Sequence, residues 1–313
     1  MFHRILVPLD GSRHAELAVP AAVRLVLASG GSIVFAHIVP AIESDQKIEV
    51  TMTQDTRLIA HADTYLHAVE QKYADELQNT HVETDIVEVD SVSTGILTAT
   101  RLEHVDLIVM CLQGETFLNH WLFRHIPRHA IRRSSVPVLV LNEQGKLLDA
   151  PDVAHPFHVL IPLDGSAEAE AVLDPIAQLL TTLALREQQV IIQFLDIIDA
   201  PHMKGYERTR DEAVAYLKTV TERIQREWRI KPTVISSILL NSEVSETILY
   251  QAERVADAHA PAGCDLIAMG THGRDGVQSL VHGSVTEHVL GSTRFPLFVV
   301  TSALSHQHAL PTA

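Results

Sequence analysis

Apolar positions along this 313-residue chain alternate between two periods. Short unbroken runs predict buried strands, because a strand covered on both faces has no polar side to show. Longer stretches with apolar residues every three or four positions predict helices. The first run of elements reads strand Arg4–Leu9, helix Arg13–Ser29, strand Ser32–Ile38 and helix Thr51–Gln78. Strand Val82–Val89, helix Thr94–Glu103, strand Leu107–Cys111, helix Trp121–Arg133 and strand Val136–Leu141 follow. Gly30-Gly31 stops the first of these helices. A second run repeats the order. It has strands at Val159–Leu163, Val190–Ile197, Thr233–Leu239, Leu266–Met269 and Leu297–Val300. Its helices run to Leu185, from Thr209 to Arg229, from Glu243 to Ala258, and onward from Ser284. Strict alternation of apolar strands and helices predicts an α/β fold, a parallel sheet covered by helices on both faces. Such sheets take ligands outside the carboxyl ends of their strands, where the strand order reverses.

The two runs are copies. Residues 5–16 read ILVPLDGSRHAE and residues 159–170 read VLIPLDGSAEAE, identical at eight of twelve positions at an offset of 154. Asp106-Leu-Ile-Val-Met110 answers Asp265-Leu-Ile-Ala-Met269, and Val136-Pro-Val-Leu-Val140 answers Phe295-Pro-Leu-Phe-Val299, both at an offset of 159. The drift places five extra residues in the second copy, between its first helix and second strand. The expected domains are 1–143 and 155–303, with Asn142 to Pro156 as linker and a polar tail from Ser302.

Composition narrows the function. With 24 Lys+Arg against 39 Asp+Glu, the net charge of −15 argues against non-specific nucleic-acid binding, which needs cations on phosphates. An apolar fraction of 46% fills two cores and excludes disorder as the main state. Cys111 and Cys264 are too few for a disulfide framework and lack metal spacing, which fits a reducing compartment. No apolar run approaches the ~20 residues that span a bilayer. The start, Met1-Phe2-His3-Arg4 before Ile5-Leu6-Val7-Pro8, is too short an apolar stretch for a secretory signal, and a cytoplasmic location is expected.

Two polar elements carry the candidate chemistry. The stretch from Gly270 to Glu287 holds Gly270, Gly273, Gly276 and Gly283 between the fourth strand of copy two and a helix start. Ser284 with Glu287 three residues on is a capping-box pattern. Glycines before a helix N-terminus suit an anion, since free N–H groups point outward and no Cβ keeps a phosphate away. Ser284 and Thr286 add hydroxyls and Arg274 a charge, the alternative being that the glycines merely shape a turn. His272 could donate to a phosphate or be solvated. This is neither a Walker loop nor a dinucleotide fingerprint. The second element, Pro-Leu-Asp-Gly-Ser at 8–12 and 162–166, puts Asp10 and Asp164 where a strand gives way to a helix. Each is either a helix cap or a carboxylate that accepts a ribose hydroxyl or an adenine amino group.

Gly270-x2-Gly273-x9-Gly283-Ser284, with Pro-Leu-Asp-Gly-Ser at the end of the first strand, resembles the ATP-binding branch of the universal stress protein family. The resemblance spans nearly the whole chain as two tandem copies. It implies two Rossmann-like domains, each a five-stranded parallel sheet in the order 3-2-1-4-5. It further implies ATP, with or without Mg2+, bound by the second copy. The implied site comprises Pro162, Leu163, Asp164, Ile197, Met269, Gly270, His272, Gly273, Arg274, Gly283, Ser284, Val285 and Thr286. Asp164 would meet the adenosine and Ile197 would touch adenine through its backbone. Met269 and the residues from Gly270 on would surround ribose and phosphates. Copy one keeps Asp10, Ile38 and Gly114 but has Cys111 for Gly270, and Arg124 and His125 for Gly283 and Ser284, so its nucleotide site is expected to be degenerate.

His125 and His129, with His120 nearby, have a metal-like spacing but no completing carboxylate. Arg124, Arg128, Arg132 and Arg133 point instead to a solvated basic face, so no metal is expected. Trp121 and Trp228 read as packing residues. No Ser-His-Asp order or metalloprotease motif appears, so an enzyme is not expected and any turnover should be slow. The leading reading is a cytoplasmic ATP-binding stress or signalling protein acting through nucleotide-dependent conformation or partner choice. The alternatives are a slow nucleotide hydrolase or phosphotransferase on the same fold and a ligand-free interaction scaffold. The apolar fifth strands, Pro137–Val140 and Pro296–Val299, are expected to pair antiparallel so that one chain mimics a dimer of single-domain relatives; a further homodimer is compatible with this.

Overall fold

A computed structural model describes residues 1–40, 48–111, 126–142, 156–183, 189–198, 209–254, 263–271 and 284–301. The chain divides into two compact units, Met1–Glu143 and Gln144–Ala313.

Unit 1 contains β1 (Arg4–Leu9), α1 (Arg13–Glu16), α2 (Val19–Ser29), β2 (Ser32–Pro40) and α3 (Ile48–Lys72). It continues with β3 (His81–Val89), α4 (Val92–Leu102), β4 (Leu107–Cys111), α5 (Ile126–Arg133) and β5 (Val138–Leu141). Its strands pair in parallel in the order β3-β2-β1-β4-β5. Unit 2 contains β6 (Phe157–Pro162), α6 (Ala167–Glu170), α7 (Leu173–Thr182), β7 (Val190–Ile198) and α8 (Arg210–Glu227). It continues with β8 (Thr233–Leu240), α9 (Val244–Glu253), β9 (Leu266–Thr271), α10 (Ser284–Ser292) and β10 (Leu297–Thr301). Its order is β8-β7-β6-β9-β10, again all parallel. The strand order therefore reverses between the first and fourth strands of each unit, as the resemblance implied.

The first helix of each copy is broken. Pro20 has no N–H to give the carbonyl of Glu16, and its ring would strike that carbonyl, so α1 stops at Glu16 and α2 begins afresh. Pro175 does the same in unit 2, where α6 ends at Glu170. Gly30 then closes α2 in a left-handed conformation, φ 67°, with its N–H on the Val26 carbonyl at 2.9 Å. Arg4 pairs with Ser32 across β1 and β2, whereas its counterpart His158 pairs with Ile191. The second separation is five residues longer, so the insertion lies between first helix and second strand as expected.

Strand interiors are apolar on both faces. Ile5, Leu6, Val7, Phe35, Val159, Leu160, Ile161 and Phe194 are all fully buried. The repeated Asp-Leu-Ile has a structural role at the opposite end from any ligand. Asp106 accepts the N–H groups of His3 and Arg4 at 2.7 and 3.0 Å, and Asp265 accepts that of His158 at 2.7 Å. Each carboxylate clasps the start of its unit's first strand beside the fourth.

Candidate functional site

Pairing between the first and fourth strands is short. In unit 2 the ladder covers Val159↔Leu266 and Leu160↔Ile267. In unit 1 it covers Ile5↔Leu107 and Leu6↔Ile108. Past these pairs the ladder does not continue, and the carboxyl ends of the two strands mark the reversal point.

On one side of that point in unit 2, Leu163 extends the pairing of β6 by donating its N–H to the Leu195 carbonyl at 2.9 Å. The chain then turns through Gly165, whose φ of 86° suits a residue without Cβ. Asp164 Oδ1 accepts both the N–H of Ser166 at 2.9 Å and its hydroxyl at 2.6 Å. Ser166 Oγ in turn accepts the Ala169 N–H at 3.1 Å. The helix cap is therefore Ser166, not Asp164. Unit 1 repeats the turn: Asp10 Oδ1 accepts the Ser12 N–H at 2.9 Å, Ser12 Oγ accepts the Ala15 N–H at 3.1 Å, and Gly11 has φ 83°. Both aspartates are exposed. The capping alternative for Asp10 and Asp164 is thus removed; each orders its turn and keeps its carboxylate at the surface.

On the other side, β9 carries Met269 and Gly270. Met269 is buried, and Gly270 pairs with Val300. A Cβ on Gly270 would run into the carbonyl oxygen of Glu168 and sit 3.0 Å from the Ala169 Cα. The missing side chain thus lets α6 approach the sheet. The close backbone approach at this glycine is made by protein, whatever ligand lies on the other side. Ile197 is half-buried near the end of β7, paired with Leu239. Val285 and Thr286 are half-buried in the first turn of α10, which starts at Ser284 itself and has Glu287 in that turn.

The structure therefore brings Pro162, Leu163, Asp164, Ile197, Met269 and Gly270 to the carboxyl edges of three neighbouring strands of unit 2. His272, Gly273, Arg274 and Gly283, and the side chain of Ser284, lie outside the described residues. So do Gly114, Trp121, Arg124 and His125 of copy one, together with His120. His129 is exposed on α5, and no group of three or more metal-ligating side chains forms among the described residues. Cys264 is buried in apolar surroundings, which push its thiol well above the usual range. Trp228 is buried, as expected of a packing residue.

Several polar residues outside the candidate set make contacts that the sequence alone does not assign. Glu16 of α1 accepts the Lys72 ammonium at 2.9 Å and the Tyr65 hydroxyl at 3.4 Å. In unit 2, Glu170 accepts Arg223 at 2.6 Å. The signal was present: each glutamate stands four residues after the capping serine, and Tyr65–Lys72 and Tyr216–Arg223 have the same spacing. At the amino end of β6, His158 is buried with neither ring nitrogen hydrogen-bonded among the described residues. Burial holds it below the usual histidine range, against a smaller upward pull from Gln193.

The model of the universal stress protein family matches residues 1–142 and 157–301. The chain belongs to that family. The family assignment accounts for both copies and for the strand order of each unit. Among curated proteins, it is 22% identical over 214 residues to a universal stress protein of Mycobacterium bovis and to one of Mycobacterium tuberculosis. Each match covers 66% of this chain and 66% of the relative, just under two thirds of the relative's length. Among solved structures it resembles a universal stress protein from Archaeoglobus fulgidus, with TM-score 0.65 and 18% identity over 96% of this chain and 98% of that one. A putative universal stress protein from Pseudomonas aeruginosa is similar at TM-score 0.63 and 14% identity, covering 97% and 96% of the two chains. At these identities the two structures show the fold. No described helix is long and apolar enough to cross a membrane.

Proposed function

We propose that unit 2 binds ATP at the carboxyl ends of β6 and β9 and that occupancy sets the protein's conformation or its choice of partner in a stress response. The observation that carries this reading is the Asp164 turn. A strand-end carboxylate is held by Ser166 and exposed beside the reversal point of a parallel sheet, where such sheets take ligands. Asp164 would accept a ribose hydroxyl or an adenine amino group, and the Ile197 backbone would lie against the base. The segment from Gly270 to Ser284, with His272, Gly273, Arg274 and Gly283, would meet the phosphates ahead of α10. Any Mg2+ would arrive with the phosphates, as that ion keeps most of its ligands from substrate and water. In this reading unit 1, with Arg124-His125 in place of Gly283-Ser284, does not bind ATP.

The role is one of binding rather than turnover, and the site of action is the cytoplasm. Mass spectrometry of small molecules released from the heat-denatured purified protein tests the ligand. An adenine nucleotide supports the reading. Recovery of no ligand, together with no binding on titration, supports an interaction scaffold instead. Sustained phosphate release that disappears in Asp275→Ala or His272→Ala would make the protein a hydrolase.

A further inference from the structure

The carboxyl end of β2 in unit 1 carries an ionisable side chain that nucleotide binding does not use. His37 pairs with Leu9, so it stands beside the residue that precedes Asp10. Its Nδ1 is buried and has no hydrogen-bond partner among the described residues. Its ring meets that of Tyr65 edge-on, with centroids 5.9 Å apart and planes at 71°. The Tyr65 hydroxyl donates to Glu16, whose other oxygen is held by Lys72. That hydroxyl also lies close enough to the Gly11 backbone and the Asp10 carboxylate for both to act on its acidity. His37, Tyr65 and the turn Asp10-Gly11-Ser12 thus form one cluster spanning β2, α3 and the link from β1 to α1.

We propose that His37 and Asp10 form a proton-operated switch on this turn: when His37 takes up a proton, its imidazolium draws the Asp10 carboxylate away from the Ser12 N–H. The charged groups around His37 set the direction. Burial is the largest influence and holds the ring neutral at neutral pH; Asp10 pulls its proton affinity up, and His61 of α3 pushes it down. Glu16 and Lys72 compensate each other behind Tyr65. The β3 neighbour is the apolar Ile86. Protonation therefore occurs on acidification and leaves a cation that the Asp10 carboxylate attracts. A neutral ring has no such claim on the carboxylate, which stays on Ser12. The coupling is reciprocal: whatever holds Asp10 on Ser12 makes His37 harder to protonate. Unit 2 has Asp196 at the matching position, following Leu195, so no imidazole stands behind its turn. Unit 1 is in this account an acid sensor whose effector is the proton, independent of nucleotide in unit 2.

The test is NMR of the full chain carrying labelled histidine and serine. The His37 ring should titrate with a midpoint below 6.5, and the Ser12 amide should shift with the same midpoint. Amide protection at Ser12, corrected for intrinsic exchange, should fall by roughly tenfold, about the worth of one hydrogen bond. Both steps should vanish in His37→Gln. In Asp10→Asn, an exposed change that the fold tolerates, the His37 midpoint should drop further. A Ser12 amide that ignores the titration of His37 would overturn the proposal. So would an unmoved midpoint in Asp10→Asn, or the same step at Ser166 of unit 2.

Discussion

Gly270 lies so close to Glu168 that a Cβ on the glycine would collide with the glutamate's backbone carbonyl. This contact separates two roles that the sequence could not. A glycine at a strand end beside a helix start reads as room for phosphate, yet on the side where a Cβ would stand the room is taken by α6. Gly270→Ala should destabilise unit 2 by about 1–3 kcal/mol or more, since backbone must move to admit the methyl. Urea denaturation of the nucleotide-free protein checks this. A variant as stable as the parent would show that α6 yields freely.

Acid should weaken unit 2 through His158. Its proton affinity is lowered in the folded state, so its contribution to stability is complete above the unfolded value near 6.5. It is lost as pH falls through that value toward the folded one. Replacing His158 by Met should flatten the dependence of unfolding free energy on pH between roughly 6.5 and 5, where histidine titrates. Parallel slopes for parent and variant would contradict the burial argument.

A third expectation concerns the ion cluster on β1. Arg4 contacts Glu83 and Glu103 at 2.5 Å each, and its side chain is 23% exposed. Hydrogen bonding to Arg4 is the main cause that takes the Glu83 carboxyl down to about 2. Because that value is depressed, the contribution of Glu83 is present above its ordinary value near 4.5 and is lost as pH falls toward 2. Arg4→Met should cost roughly 1–3 kcal/mol at pH 7, leaving two carboxylates without their cation. The cost should shrink toward pH 2. A constant cost across that range would show that the arginine stem, not its charge, supplies the stability.

Much of this was legible in the sequence, for physical reasons. Strand runs such as Arg4–Leu9 and Leu107–Cys111 stand out because both faces are buried, and the repeat fixed the five-residue insertion. The break between α1 and α2 was less visible, since Leu17 and Ala18 keep a helical pattern through the point where Pro20 interrupts the hydrogen bonds. The Asp-Gly-Ser turn reads as a strand-to-helix link, but capping preference alone does not tell which of Asp164 and Ser166 is the cap. The burial of His37 and His158 depends on what packs over them, and a histidine in a strand carries no periodic sign of its partners.

The chemistry of the proposed nucleotide site separates nucleoside from phosphate. Asp164→Ala should weaken adenosine and ATP alike, while Arg274→Ala should weaken ATP and spare adenosine. Loss of one charge-assisted hydrogen bond corresponds to about 1.5–3 kcal/mol, or roughly 10- to 150-fold in affinity. Competition binding with both ligands reads the difference. Equal losses in the Arg274 variant would contradict the assignment.

The second copy alone is proposed to hold ATP. Gly283-Ser284 supplies bare backbone and a hydroxyl just where α10 begins, whereas copy one has Arg124-His125 there and Pro127, which lacks an N–H. Calorimetric titration of nucleotide-free protein with ATP tests this most directly. One site per chain is expected, abolished by Gly283→Arg in a protein that remains folded. Two sites of similar affinity per chain, or unchanged affinity in Gly283→Arg, would contradict it.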